Sequence, residues 1–432
     1  MIACILLAVC GQTTTLLDTY ISTKDSSFKW NLDSVTDVPL VGKVHHLKLT
    51  SQTWQGIAWQ HDLLLFEPAG TAGSETIMML NTGGKPSGGG RALGIAIAGR
   101  LRAPLAVLFQ IPNQPLYGKT EDGLIAETFV RFLEGDGKDG SLPLLFPMAK
   151  SVMRGMDVLE EYTAKAWPRP AKKYVLTGAS KRGWTTWLTS AVDSRIVGLA
   201  PMVIDTLNML VQFDHQVKSF GVPSEQIKDY TERKLVPLPP GANAKKLWSS
   251  VDPYLYRERY KQPKFIVNGA NDPYWTVDAL NLYWNELPSR KHVLIVPNAG
   301  HNLDEKSDAA PQKVDRALAS LAAFGRATIK GTSLPDFQWT YTGKEKNVRL
   351  SMTGPAQRME LWTAEAPTRD FRQAKWRSES LPLMESSPAA AQVELKSPEK
   401  GYKAFYGMGE FKDGPDTFWL STQVKVLGTE AD

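Results

Sequence analysis

Three short loops in this chain carry side chains that together could cleave an ester or an amide. The first, Gly178-Ala-Ser180, ends the apolar run Tyr174–Thr177 and leads straight into a segment of helical period, Trp184–Val192. A serine on so sharp a strand-to-helix turn sits on strained backbone, so small residues must flank it, and its hydroxyl projects at the helix N-terminus as in a nucleophile elbow. The second loop, Asn268-Gly-Ala-Asn-Asp272-Pro273, follows the run Phe265–Asn268, and the third, Pro297-Asn-Ala-Gly-His301, follows His292–Val296. A free hydroxyl is a weak nucleophile at neutral pH; His301 would take its proton, while Asp272 would fix the imidazole tautomer and stabilise the imidazolium.

Each assignment has a plainer rival. Ser180 could be a helix N-cap, Asp272 the start of an Asx turn before Pro273, and His301 a surface histidine. Asp205, just after the run Leu199–Ile204, is the alternative acid. An oxyanion needs backbone N–H donors, and Lys181, directly after the serine, and Gly83 and Gly84, in the loop after Thr76–Leu80, are placed to supply them. No Gly-Lys-Ser/Thr or Gly-x-Gly-x-x-Gly spacing turns these glycines into a phosphate loop. Lys181 and Arg182, with Trp184, Tyr274 and Trp275 nearby, suggest a substrate-binding mouth for an anionic or ring-bearing group; equally, Trp184 could face the core and Arg182 could pair internally. Glu121-Asp122 reads as the acidic first turn of a helix.

Positioning three loops at one edge requires a sheet. From about Trp54 to Phe324, short apolar runs alternate with segments of helical period, such as Leu144, Leu145, Met148, Val152, Met156 and Leu159, which predicts an α/β fold with a mostly parallel sheet covered by helices. The chain order serine, acid, histidine, each after a strand, is the order found in the α/β-hydrolase fold. The expected organisation is a hydrolase domain over 16–330 with a helical insertion near 210–260, where 218–246 lacks sheet runs, and a β-sandwich-like domain over 334–432. That last region has period-two alternation at Val348, Leu350 and Met352 and again at Phe418 and Leu420. It is expected to pack separately and to supply no triad member.

The 432 residues, 42% hydrophobic and 22% charged, bound this to a globular chain with a sizeable core. A net charge of +5 without runs of like charge gives no basis for nucleic-acid binding. The two cysteines, Cys4 and Cys10, both precede the predicted body, so neither a stapling disulfide nor a cysteine metal site is available to it, and no metal or cofactor is expected. The apolar run Ile2–Val9 within residues 1–15 resembles a signal or leader, predicting a secreted or periplasmic protein; a lipid anchor on Cys10 is the second reading. No later apolar run is long enough to span a bilayer, so no transmembrane anchor is expected.

At these residues the chain resembles the PhoPQ-activated pathogenicity-related family, a branch of the α/β-hydrolase superfamily. The matching stretches include Ser51-Gln-Thr-Trp54, Trp59-Gln-His61, Glu121-Asp122, Gly178-Ala-Ser-Lys-Arg-Gly-Trp184, Pro201-Met-Val-Ile-Asp-Thr-Leu-Asn208, Asn268-Gly-Ala-Asn-Asp272, Pro297-Asn-Ala-Gly-His301 and Arg369-Asp-Phe-Arg372 with Trp376, together spanning roughly residues 50–380. The resemblance implies export and association with virulence, and defines no substrate. The elbow is also similar to that of glucuronoyl esterases, where a basic residue beside the serine assists a uronate ester. It departs from the commoner hydrolase pattern in placing the second glycine, Gly183, three residues after the serine, with Arg182 at the usual site. Two functions are thus expected: a serine hydrolase forming an acyl-enzyme on a small-molecule ester or amide, or on one linked to carbohydrate or peptide, and, as the alternative, a secreted binding or signalling protein with a protein partner on a silent hydrolase scaffold.

Overall fold

Residues 14–39, 41–288, 290–306, 314–344, 346–384 and 386–429 are described by the computed structural model; residues 1–13, which include both cysteines and most of the leader expected over 1–15, lie outside them. An antiparallel edge comes first, made of β1 (Lys29–Val38), β2 (Gly42–Trp54) and β3 (Ile57–Pro68). Six mutually parallel strands follow: β4 (Thr76–Asn81), β5 (Leu105–Leu108), β6 (Lys173–Ala179), β7 (Ile196–Met202), β8 (Lys264–Gly269) and β9 (Lys291–Val296). The spatial order is β1-β2-β3-β5-β4-β6-β7-β8-β9, so the chain reverses its direction of travel at β4. A reversal of this kind opens a crevice at the C-terminal ends of the strands on either side, here β4 and β6. This is the α/β-hydrolase arrangement, and each apolar run read from the sequence between Trp54 and Phe324 overlaps one of its strands.

The helices are α1 (Leu16–Ser22), α2 (Gly88–Leu101), α3 (Glu121–Glu134), α4 (Leu145–Ala166), α5 (Lys181–Val192), α6 (Met209–Phe220), α7 (Lys228–Thr231), α8 (Ala242–Val251) and α9 (Asp315–Ile329). They cover both faces of the sheet. Met78 packs on α9 at Gly325 and Met79 on α4 at Gly155, where an added Cβ would come within 3.0 Å and 2.7 Å of the two methionine side chains. Successive strand residues point to opposite faces, so α9 and α4 lie on opposite sides. Helices α6, α7 and α8 fall between β7 and β8 and form a cap.

Beyond α9 the chain builds β10 (Gln338–Lys344), β11 (Asn347–Thr353), β12 (Arg358–Ala366), β13 (Arg377–Leu381), β14 (Ala390–Lys396), β15 (Gly401–Asp413), β16 (Asp416–Ser421) and β17 (Lys425–Thr429). All their mutual pairings are antiparallel, and they form two sheets, β10-β11-β14 and a second that contains β12, β13, β15, β16 and β17. The two face each other, with Met352 and Leu350 of β11 lying over Gly407 of β15. The second sheet is not free-standing: β16 pairs with β9 at Ser421 and Val293, so the parallel sheet continues into the C-terminal region. Two pairs reinforce the junction. Arg316 of α9 meets Glu305 at 2.9 Å under the ring of Trp419, and Arg326 meets Asp413 at 2.6 Å.

Candidate active site

Ser180 occupies the turn from β6 to α5 with φ +58° and ψ −131°. That conformation costs a non-glycine residue on the order of 1–3 kcal/mol and persists only where the surroundings impose it. Here they do, because β6 and α5 are in near-contact. A Cβ on Gly178 would fall 2.6 Å from the Arg182 carbonyl oxygen, and one on Gly183 would fall 2.5 Å from Ile204 Cγ2. The second small residue is therefore needed three positions after the serine, and Arg182 is released to point elsewhere.

Arg182 points into the protein. Its Nε donates to the Ile111 carbonyl at 2.5 Å, its two terminal nitrogens grip Glu121 at 2.6 and 2.8 Å, and its guanidinium lies where a Cβ on Gly83 would be. The Lys181 ammonium is also paired, with Glu121 at 2.8 Å and Asp122 at 3.1 Å. Glu121 and Asp122 do start α3, but their main contacts are these two cations. Burial acts to raise the Glu121 carboxyl, and Arg182 and Lys181 outweigh it and hold it far below the ordinary range. The backbone N–H groups of Lys181, Gly83 and Gly84 donate to no protein acceptor among the described residues.

Asp272 and His301 meet. The loops after β8 and β9 are joined by the Asn271 N–H to the Ala299 carbonyl at 2.9 Å, and His301 Nδ1 lies 2.8 Å from Asp272 Oδ2. The other Asp272 oxygen accepts the Tyr274 N–H at 2.9 Å, so the Asx turn and the imidazole partnership coexist in one carboxylate. The Tyr274 ring stacks on His301 with centroids 4.2 Å apart, and His301 Nε2 is buried without a hydrogen-bond partner. Asp205 stands elsewhere. Its carboxylate accepts from Asn268 Nδ2 at 3.0 Å and from the Tyr283 hydroxyl, and burial, reinforced by the charge of Asp272, pushes its pKa up to about 7. It makes no hydrogen bond to His301.

Trp184 and Trp275 line an apolar cavity of about 320 Å³ between α5 and the cap; Ser180 and His301 are not part of its wall. Trp184 also donates its indole N–H to the Val251 carbonyl at 2.6 Å, so it serves the cap as well as the cavity.

In the sequence, Arg369–Trp376 belongs to a C-terminal region expected to position substrate or partner, with Asp370 between arginines in a structural ion pair; the structure gives Asp370 that pair, with Arg372 at 2.6 Å. The segment is a strap tying the acid and histidine loops to the cap. Asn271 Nδ2 donates to the carbonyls of Phe371, Arg372 and Ala374, and the Asn298 amide exchanges two hydrogen bonds with the Trp376 backbone, at 3.0 and 2.8 Å. Arg369 meets Asp278 at 2.6 Å, and His215 of α6 meets the same carboxylate at 2.7 Å.

A model of the PhoPQ-activated pathogenicity-related proteins matches residues 17–372, which is most of the chain. The protein belongs to this family. Among relatives of this PhoPQ-related chain, autocrine proliferation repressor protein A of Dictyostelium discoideum is 30% identical over 451 aligned residues, covering 95% of this chain and 89% of the other. Looser likenesses include acetyl xylan esterase 1 of Thermoanaerobacterium sp., at TM-score 0.46 and 14% identity, covering 66% of this chain and 87% of that one. The glucuronoyl esterase of Solibacter usitatus stands at TM-score 0.44 and 15% identity, covering 72% and 91%. Among the described residues of this family member, no group of three or more His, Cys, Asp or Glu side chains could hold a metal ion, and no helix is long and apolar enough to cross a membrane.

Proposed function

We propose that this protein is a serine hydrolase that cleaves an ester or amide through Ser180, His301 and Asp272. The observation that carries this reading is the Asp272–His301 pair at the edge where β6 presents Ser180 with φ +58°. Ser180 Oγ attacks the carbonyl carbon as its proton passes to His301 Nε2, and the N–H groups of Lys181 with Gly83 or Gly84 receive the oxyanion. The imidazolium then protonates the leaving alcohol or amine, and a water deprotonated by His301 attacks the acyl-enzyme to release the acid and restore Ser180. Asp272 holds the Nδ1–H tautomer throughout. A fluorophosphonate probe should label the wild-type protein at Ser180 and leave Ser180→Ala unlabelled; no labelling of folded wild type removes the reading.

A second reading, a binding or signalling protein on this scaffold, is favoured by the name of the Dictyostelium relative, a proliferation repressor. It predicts that Ser180→Ala keeps any biological effect of the wild type, whereas an enzymatic effector loses it. We also propose export, on the apolar run Ile2–Val9, with the mature chain beginning after Ala8, Cys10 or Gln12. Mass spectrometry of protein from a secreting host should find Met1 and Cys4 absent.

A further inference from the structure

The cavity between α5 and the cap bears on the substrate of this same site, and the inference rests on the hydrolase reading. Three of its lining residues are linked to site residues by the chain or by a hydrogen bond. Trp184 N–H donates to the Ser180 carbonyl at 3.0 Å, Trp275 follows the tyrosine stacked on His301, and Tyr230 hydrogen-bonds Asp122, the partner of Lys181. The walls are apolar: Trp184, Phe213, Leu235, Val236, Trp248 and Trp275. The glutamine amides in the lining are already engaged. Gln212 donates to the carbonyls of Leu207 and Ala279, and Gln216 donates to Tyr274 and accepts from the Ser224 N–H. The charge in the lining, Asp214, is negative and exposed, and the lip carries Leu210, 59% exposed. Both cations beside the serine are paired internally.

A site so built offers an anion no cation. We propose that the cavity holds an uncharged apolar arm of the substrate, carried on the acyl or the alcohol side of the ester. An apolar cavity of roughly 150 Å³ accepts a benzene ring, so about twice that volume accepts a fused bicyclic ring or an aliphatic chain of about eight carbons. Each methylene moved from water onto these walls tightens binding by roughly fourfold.

Three unactivated esters test this: ethyl acetate, ethyl octanoate and octyl acetate. Either the octanoate or the octyl ester should exceed ethyl acetate in kcat/KM by at least about tenfold, and which of them does so assigns the arm to the acyl or the alcohol side. Leu238→Trp, which fills the cavity, should shrink that preference, and Phe213→Ala, which widens it, should shift the preference to longer chains. Equal kcat/KM for all three esters, or a preference untouched by both variants, overturns the proposal. A second measurement needs no turnover: 2-naphthol titrated into Ser180→Ala should quench tryptophan fluorescence saturably, and more weakly in the double variant with Leu238→Trp. Saturable binding with neither ester hydrolysis nor fluorophosphonate labelling of Ser180 leaves the cavity in place and defeats the hydrolase reading; hydrolysis without chain preference or naphthol binding does the reverse.

Discussion

At the scale of single residues, two carboxylates at neighbouring strand ends have been driven to opposite uses. Asp272 partners the imidazole, while Asp205 is enclosed by Asn268 and Tyr283 and titrates near 7. Asp272→Asn should retain the fold and lower turnover by roughly 10⁴-fold, because the amide favours the wrong tautomer; steady-state kinetics on any hydrolysed ester measures this. The folded-state pKa of Asp205 lies above its ordinary 3.8, so the native state holds a proton that the unfolded chain releases between pH about 4 and about 7. Its contribution is therefore full at low pH and is lost as pH rises through that window. Asp205→Asn escapes the loss, and turning the Asn268 amide, whose Oδ1 is buried without a partner, lets the new amide be received. In urea titrations the variant should gain on wild type by on the order of 2 kcal/mol between pH 5 and pH 8; a constant difference would count against the buried titration. Ser180→Gly, relieving the positive φ, should raise the urea midpoint by the equivalent of about 1 kcal/mol while abolishing probe labelling.

Among the elements, the strap Arg369–Trp376 acts at the longest range in sequence. Removing the Asn298 side chain by Asn298→Ala leaves the Trp376 N–H without its acceptor, a loss of about 1–3 kcal/mol, and releases the histidine loop, so the rate of probe labelling should fall. Glu225→Ala breaks the Arg372 contact on the same strap at an exposed carboxylate and should change neither stability nor labelling measurably. Comparing the two rates separates positioning from general loosening of the surface. This is also where legibility from sequence ends. The elbow is readable because glycine, serine and glycine lie within six residues and answer to one steric constraint. The strap is not, since Asn271 and Asn298 find their partners about a hundred and about eighty residues away, and nothing local in Arg369-Asp-Phe-Arg372 encodes that meeting. Internal pairing of Arg182 is likewise only one of two readings open in the sequence, and its partner Glu121, 61 residues away, reads there only as the acidic start of a helix.

Over the whole molecule, the seam between β9 and β16 decides how far the chain can be divided. The change of texture after Lys330 is legible as alternation giving way from helical period to period two, but the hydrogen bonds from β16 to β9 carry no sequence signature. Truncation at Gly331 would bare the edge of β9, expose the side of α9 that holds Arg316 and Arg326, and remove the strap. The shortened chain should be recovered as aggregate, or folded with lost probe labelling, when expressed beside the full-length protein. The matched charges around the elbow reach beyond the site. Two cations and two carboxylates within hydrogen-bonding distance cancel as seen from a Debye length away, about 10 Å at 0.1 M salt. The elbow cluster thus adds no net field of its own at the mouth. The second-order rate constant should stay nearly flat between low and high ionic strength, and Glu121→Gln, by unmasking one positive charge, should make capture of anionic esters fall with added salt.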